Sequence, residues 1–336
     1  MVIIMKYKTM IIKAIGIFLS LCLISITSIS ALADEEKNVN ITIKEIESIK
    51  ENSLIIQEKT EGLSYKKTIE NIDKFKLAIK QKYPQIDEYQ LGKAILLSLG
   101  DSEETIAELP KEKVLEAVNY KSVVITECYL EETKDGELIE ISKQKHENNR
   151  AILKAPYNNS QTFGDIVLRS YAYKWQPLYA LSGRSYFVIR GNVEWVGYPN
   201  FQMKDLLTVS SSGNIDNNYL QSASGLWKHP SLGTQKYDSA SLSNKGSFIS
   251  LSTPSIHGIG ATFPIGVGQS GQLIVNNVYC YYGISSQKDV SCQVSYAHAI
   301  LAWTPSFSVS SGGSVSFGGL GIQRQVFNGT AFTLYH

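Results

Sequence analysis

From residue 160 onward the chain loses its helix formers and gains Ser, Gly, Tyr and Val. No other feature constrains the fold as strongly, because such a composition cannot sustain an amphipathic helix of useful length. The apolar residues come in short runs, at 162–175, 184–197, 203–213, 246–255, 271–285, 289–304, 306–317 and 322–336. Turn-rich segments separate them, for example "SSGNIDNN" and "HPSLGTQKYDSASLSNKG". Short strands with Gly and Ser punctuation predict an antiparallel sandwich or a barrel-like sheet. The expected fold class is α+β: a small N-terminal helical bundle with a β-hairpin, followed by a larger all-β domain.

The start of the chain reads differently. Lys6, Lys8 and Lys13 precede an apolar core at 14–26, and Ala31 to Ala33 form a small-x-small site. Residues 1–33 are therefore expected to be a secretory signal peptide cleaved after Ala33, which places the protein outside the cell. Leu21 and Leu23 flank Cys22, where a lipid-attachment site has small residues. No second long apolar run follows, so the exported chain is expected to be soluble.

Residues 34–60 are polar and read as a flexible start. Ile69, Ile72, Phe75, Ile79 and Tyr83 then recur at helical spacing, and Pro84 closes the run. Asp87 and Gln90 make a capping pattern before Leu91, Ile95 and Leu99, with Gly100 as the stop. Pro110 opens a last short helix. At 121–132 the residues turn β-branched and aromatic, and Lys134 to Gly136 signal a hairpin turn. The polar stretch 142–150 is the expected linker and a site for proteolytic separation. The predicted organisation is thus a signal at 1–33, a helical domain at 34–150 and an all-β domain at 151–336.

Charge divides at the same place. Residues 151–336 hold eleven Lys and Arg against six Asp and Glu, a net +5, and residues 34–150 carry −7. All four tryptophans fall in the basic half. Such asymmetry predicts either self-association of the two halves or contact with an anionic membrane or cell-wall surface. Two unrelated solvated surfaces would give the same numbers. The basic residues are scattered, which argues against nucleic acid as a partner.

One stretch stands out within the β-rich half. "SFSVSSGGSVSF" at 306–317 is a near mirror image about Gly312, with Phe307 opposite Phe317 and Val309 opposite Val315. A centre on one residue predicts a hairpin with a three-residue loop, Ser311 to Gly313. Read backwards to Ala299, one face carries Leu301, Trp303, Pro305, Phe307 and Val309, and the other is mostly small and hydroxylated. Eleven residues with this alternation match the roughly 9–11 that a tilted strand needs to cross a bilayer. A half-buried sheet strand shows the same pattern, and Pro305 fits best at an edge. Leu301, Trp303, Phe307, Val309, Val315 and Phe317 are the candidate membrane or ligand contacts. The glycine-interrupted run 257–271 is expected to be an irregular loop, either buried or contacting a ligand.

The search for chemistry gives little. His146, His229, His257, His298 and His336 stand at no metal-pair spacing. There is no CxxC, no nucleophile elbow, no P-loop and no cofactor fingerprint. Cys280 and Cys292 lie on strand-like runs about a polar turn, so a disulfide across a hairpin is expected, with small buried thiols as the alternative. An odd cysteine, Cys128, remains. Asp165, Asp205, Asp216, Asp238 and Asp289 with Glu194 leave a carboxylate-based hydrolase open, and Cys292 with His298 is a remote nucleophile pair. The leading expectation is a secreted, non-enzymatic bacterial protein, toxin- or bacteriocin-like, whose β-rich half acts at a cell envelope. A cell-wall or carbohydrate-binding module is the alternative, and an unrecognised hydrolase the third.

Overall fold

The computed structural model describes residues 41–61, 63–153, 164–197, 199, 203–229, 232–268, 273–299, 306–318, 324–328 and 332–334. The expected signal segment with Ala33, and both Leu301 and Trp303, lie outside them. In chain order the elements begin with α1 (Ile43–Ser53), β1 (Ile55–Glu61) and β2 (Ser64–Glu70). Four short helices follow, α2 (Ile72–Lys82), α3 (Glu88–Leu99), α4 (Glu103–Glu108) and α5 (Lys111–Glu116). Next come β3 (Tyr120–Glu132), β4 (Leu138–Ile141) and α6 (Lys143–Leu153). The remainder is strand: β5 (Asp165–Trp175), β6 (Ser185–Val196), β7 (Lys204–Ser211), β8 (Asn214–Ile215), β9 (Ser222–Lys228) and β10 (Gln235–Ser241). It continues through β11 (Ser250–Ser255), β12 (Gly258–Pro264), β13 (Gly266–Val267), β14 (Leu273–Ser286) and β15 (Val290–Ala299). The last four are β16 (Ser306–Val309), β17 (Val315–Gly318), β18 (Arg324–Asn328) and β19 (Phe332–Leu334).

The protein is α+β and rich in antiparallel sheet, and no sheet closes among the described residues. The larger sheet runs β1-β2-β3-β5-β6-β14-β9-β10, and the smaller runs β11-β12-β7-β15-β18. Inward side chains of both sheets share one core, with Leu168, Ile189 and Val278 from the larger and Val209, Ile259 and Val294 from the smaller. Alternation in the strands supplies this face, since successive side chains point opposite ways. The helices cover the other face of the larger sheet. There Phe75, Ile95 and Val114 pack with Val123, Tyr173 and Tyr281.

Local signals account for the helix ends. Asp87 accepts a hydrogen bond from the Gln90 amide at 2.7 Å and caps α3, and Gly100 ends it at φ 103°. Thr42 and Glu45 form a reciprocal capping box on α1. The β3–β4 hairpin forms around Gly136, at φ 81°.

Several expectations are corrected. The polar start holds α1 and the β1–β2 hairpin, and Ile69 lies on β2 rather than on the following helix. Residues 143–150, expected as a linker, belong to α6, where Ser142 bonds the Lys145 amide and His146 is buried. The sheet crosses the 150/151 boundary without a break, because β3 pairs with β5 from Glu131↔Asp165 to Tyr120↔Trp175. The run 257–271 includes a regular strand, β12, paired with β7 from Gly258↔Ser210 to Pro264↔Lys204. Cys280 and Cys292 are unpaired. They sit on β14 and β15, which belong to different sheets, so the turn between them passes the chain across the core instead of closing a hairpin. Burial raises both thiols, Cys292 to about 12, which keeps them protonated.

Candidate functional site

The 306–318 hairpin forms with the predicted register, Phe307↔Phe317 and Val309↔Val315. Gly313 takes a φ of 84° in the three-residue loop, where a side chain would also meet the Ser211–Ser212 backbone. The hairpin pairs with no other strand among the described residues. It lies against the outer face of the smaller sheet, apolar side down. A Cβ on Gly260 would stand 2.5 Å from Phe307 Cε1, and one on Gly258 would stand 2.8 Å from Val309 Cγ2. The two glycines therefore make the recess that receives the hairpin. Leu206, Ala297 and Ala299 complete it beneath Phe307 and Phe317.

The rest of this seat is small and hydroxylated. Thr208, Ser210 and Ser295 are fully buried under the hairpin's side of the sheet. Ser210 Oγ donates to the Gly313 carbonyl at 2.6 Å, and Ser255 Oγ to the Val309 carbonyl at 3.4 Å. Phe307, Val309, Val315 and Phe317 are each half-buried. Half-burial of four such side chains stabilises the docked state by a few kcal/mol, on the order of half their full-burial value. With no ladder to another strand among the described residues, the hairpin is among the segments that can open without unfolding the body.

Directly beneath, on the inward face of the same strands, lies a charged cluster. His298 is fully buried; its Nδ1 meets Asp205 at 3.0 Å and its Nε2 meets Glu132 at 3.2 Å. The Tyr296 hydroxyl donates to Asp205, the Trp195 indole N–H donates to Tyr296 Oη at 3.1 Å, and the Ala299 amide donates to Asp205 at 3.1 Å. Burial opposes charging His298, but Asp205 and Glu132 outweigh it and raise its pKa to about 10. The imidazolium thus ties β3 of one sheet to β7 and β15 of the other, at the strand end from which the chain departs toward the hairpin. Cys292 lies three inward positions away on β15, roughly 20 Å along a strand, so it forms no pair with His298.

A second region is a polar cleft of about 440 Å³ on the helical side of the larger sheet. Tyr65, Tyr171, Tyr279, Asn192 and Asn277 line it with Arg169. Arg169 bonds Glu127 at 3.0 Å and also holds Glu194. Burial pushes the Glu194 carboxyl up, yet the Arg169 guanidinium outweighs it and holds it below the usual range. A general acid needs the opposite shift. Behind the cleft Arg190 makes a bidentate contact to Asp101, at 2.8 and 3.1 Å, and stacks 3.8 Å from the Tyr171 ring centre. Among the described residues no group of three or more His, Cys, Asp and Glu is placed to hold a metal ion.

Sequence reasoning found the hairpin but not its seat, nor the Glu132–His298–Asp205 cluster. The cluster joins residues up to 166 positions apart, and spacing along the chain carries no trace of it. Gly258 and Gly260, two residues apart in a strand, were the visible signal for the seat, since strand glycines mark close approach of another backbone or side chain.

No family model matches the chain, and no curated protein matches it. Solved structures give remote likenesses, two of which follow. A chain from a structure of manganese lipoxygenase of Gaeumannomyces graminis and part of zonadhesin of Komagataella pastoris aligns at 12% identity and TM-score 0.20. The alignment covers 64% of this chain and 63% of that one. A pore forming protein aligns at 8% identity and TM-score 0.19, over 52% of this chain and 86% of that one. Neither likeness carries an argument about this chain.

Proposed function

We propose that this is a secreted, non-enzymatic bacterial protein that acts at a cell envelope, with the 306–318 hairpin as its membrane-contacting element. The body we assign as a β-sandwich. The observation that carries the reading is the mode of docking: an amphipathic hairpin stored apolar side down on a face of Gly, Ser and Thr, with no ladder to another strand among the described residues. Release of the hairpin turns Phe307, Val309, Val315 and Phe317 outward together. In hydrocarbon a lone hairpin would leave backbone groups unpaired, so insertion requires several copies to close a barrel. The basic half favours an anionic surface.

The test is dye release from anionic liposomes by the chain lacking residues 1–33. The reading predicts release that weakens as salt rises. No release and no salt-sensitive binding would contradict it. A second reading, a wall- or carbohydrate-binding module, is favoured by the polar, tyrosine-lined cleft around Asn192 and Asn277. Pull-down on purified cell wall separates the two, because it contains no bilayer.

A further inference from the structure

Among the exposed apolar side chains, four share one end of the molecule. Leu178 is 109% exposed, Leu181 63%, Leu220 59% and Ile256 53%. All four stand on turns at one end of the paired sheets. β5 ends at Trp175 and β6 begins at Ser185, so the loop bearing Leu178 and Leu181 lies there. Its Tyr179 hydroxyl bonds Asp216 at 2.7 Å. The Ile215 amide, one residue earlier, bonds the Ile256 carbonyl at 2.8 Å. Tyr219, which precedes Leu220, packs edge-on against Trp175 at 5.6 Å. These contacts tie the loops into one surface.

The loops are built to hold those side chains out. Tyr179 packs inward between Trp175 and Tyr186, and the Leu181 amide donates to Tyr186 Oη at 3.1 Å. Leu178 and Leu181 therefore project from an anchored frame. Arg184 and Lys288 are exposed at the same end, and neither forms an ion pair among the described residues. The hairpin loop, with Gly313 against Ser211 and Ser212, sits at this end too.

We infer that this end is the surface on which the protein meets a lipid bilayer carrying anionic headgroups: the four apolar tips enter the interface, and Arg184 and Lys288 meet the headgroups. Single side chains raised on separate turns suit a fluid interface, whereas a protein partner needs a continuous complementary patch. The inference rests on the membrane reading above and adds where the chain first lands, before the hairpin moves.

The experiment is flotation of the chain lacking residues 1–33 with phosphatidylcholine–phosphatidylglycerol vesicles, run beside dye release. Leu178→Ser with Leu181→Ser is expected to lower vesicle partitioning by about tenfold or more, with an unchanged melting midpoint. Phe307→Ser is expected to bind as the wild type does but to release no dye. Leu232→Ser, 71% exposed on the turn after β9 at the opposite end, is expected to change neither. Equal binding by the Leu178/Leu181 variant, or an equal loss in Leu232→Ser, would overturn the assignment of this end while leaving the hairpin reading in place. Failure of the wild type both to bind and to release dye would overturn the membrane reading itself.

Discussion

Gly260 and His298 sit on opposite faces of one sheet and make opposite demands. Gly260 must lack a side chain for Phe307 to seat. Gly260→Val places carbon where Phe307 Cε1 now stands 2.5 Å from the ideal Cβ. The hairpin should lift, so limited proteolysis should cut within 306–318 several-fold faster, while the body's melting midpoint shifts little. Unchanged cleavage would mean that the glycine is not the seat.

His298 is a different kind of constraint, since it must stay charged where charge is costly. Its pKa lies at about 10 in the folded protein against 6.5 ordinarily. A raised value stabilises the fold fully below pH 6.5, and that contribution declines as pH climbs and is gone past about 10. The wild type should therefore lose melting temperature between pH 7 and pH 10, and His298→Gln should lack most of that slope. The variant should also be weaker at neutral pH by roughly 3–5 kcal/mol, because Asp205 and Glu132 are left buried without their cation. Parallel pH profiles for the two proteins would remove His298 from this role.

At the level of elements, the helical layer is pinned to the larger sheet by a few ion pairs. Asp101–Arg190 is the most buried, and Glu108–Lys228 at 2.8 Å is more exposed. Asp101→Ala strands a buried guanidinium and should cost about 3–5 kcal/mol, against less than about 1 kcal/mol for Glu108→Ala. Chemical denaturation of both variants checks the contrast, and equal losses would contradict it.

Elements governed by local rules could be read from sequence. The caps of α3, the β3–β4 turn at Gly136 and the mirror register about Gly312 all follow from neighbours within a few residues. Elements decided by distant contacts could not. The polar residues 143–150 form a helix although only Ala151, Ile152 and Leu153 follow as an apolar end, and His146 and Asn149 face Asp165 across the chain. The β14-to-β15 turn looks like a hairpin loop, yet its strands join different sheets. Nothing within ten residues distinguishes the two, and the disulfide expectation failed for that reason.

On the scale of the whole molecule, the layers run from helices through the larger sheet and the smaller sheet to the docked hairpin. The hairpin, at the far side, is held by side-chain packing and by hydrogen bonds that include those from the Ser210 and Ser255 hydroxyls. The proposed membrane role requires this hairpin to leave its seat. Gly258→Cys with Val309→Cys tests it directly, since the new Cβ at 258 would lie 2.8 Å from a Val309 methyl carbon, within bridging reach. Cys128, Cys280 and Cys292 are buried and should not compete. Liposome dye release should vanish in the oxidised double variant and return when a reductant opens the bridge. Equal release by the oxidised and reduced forms would contradict the claim.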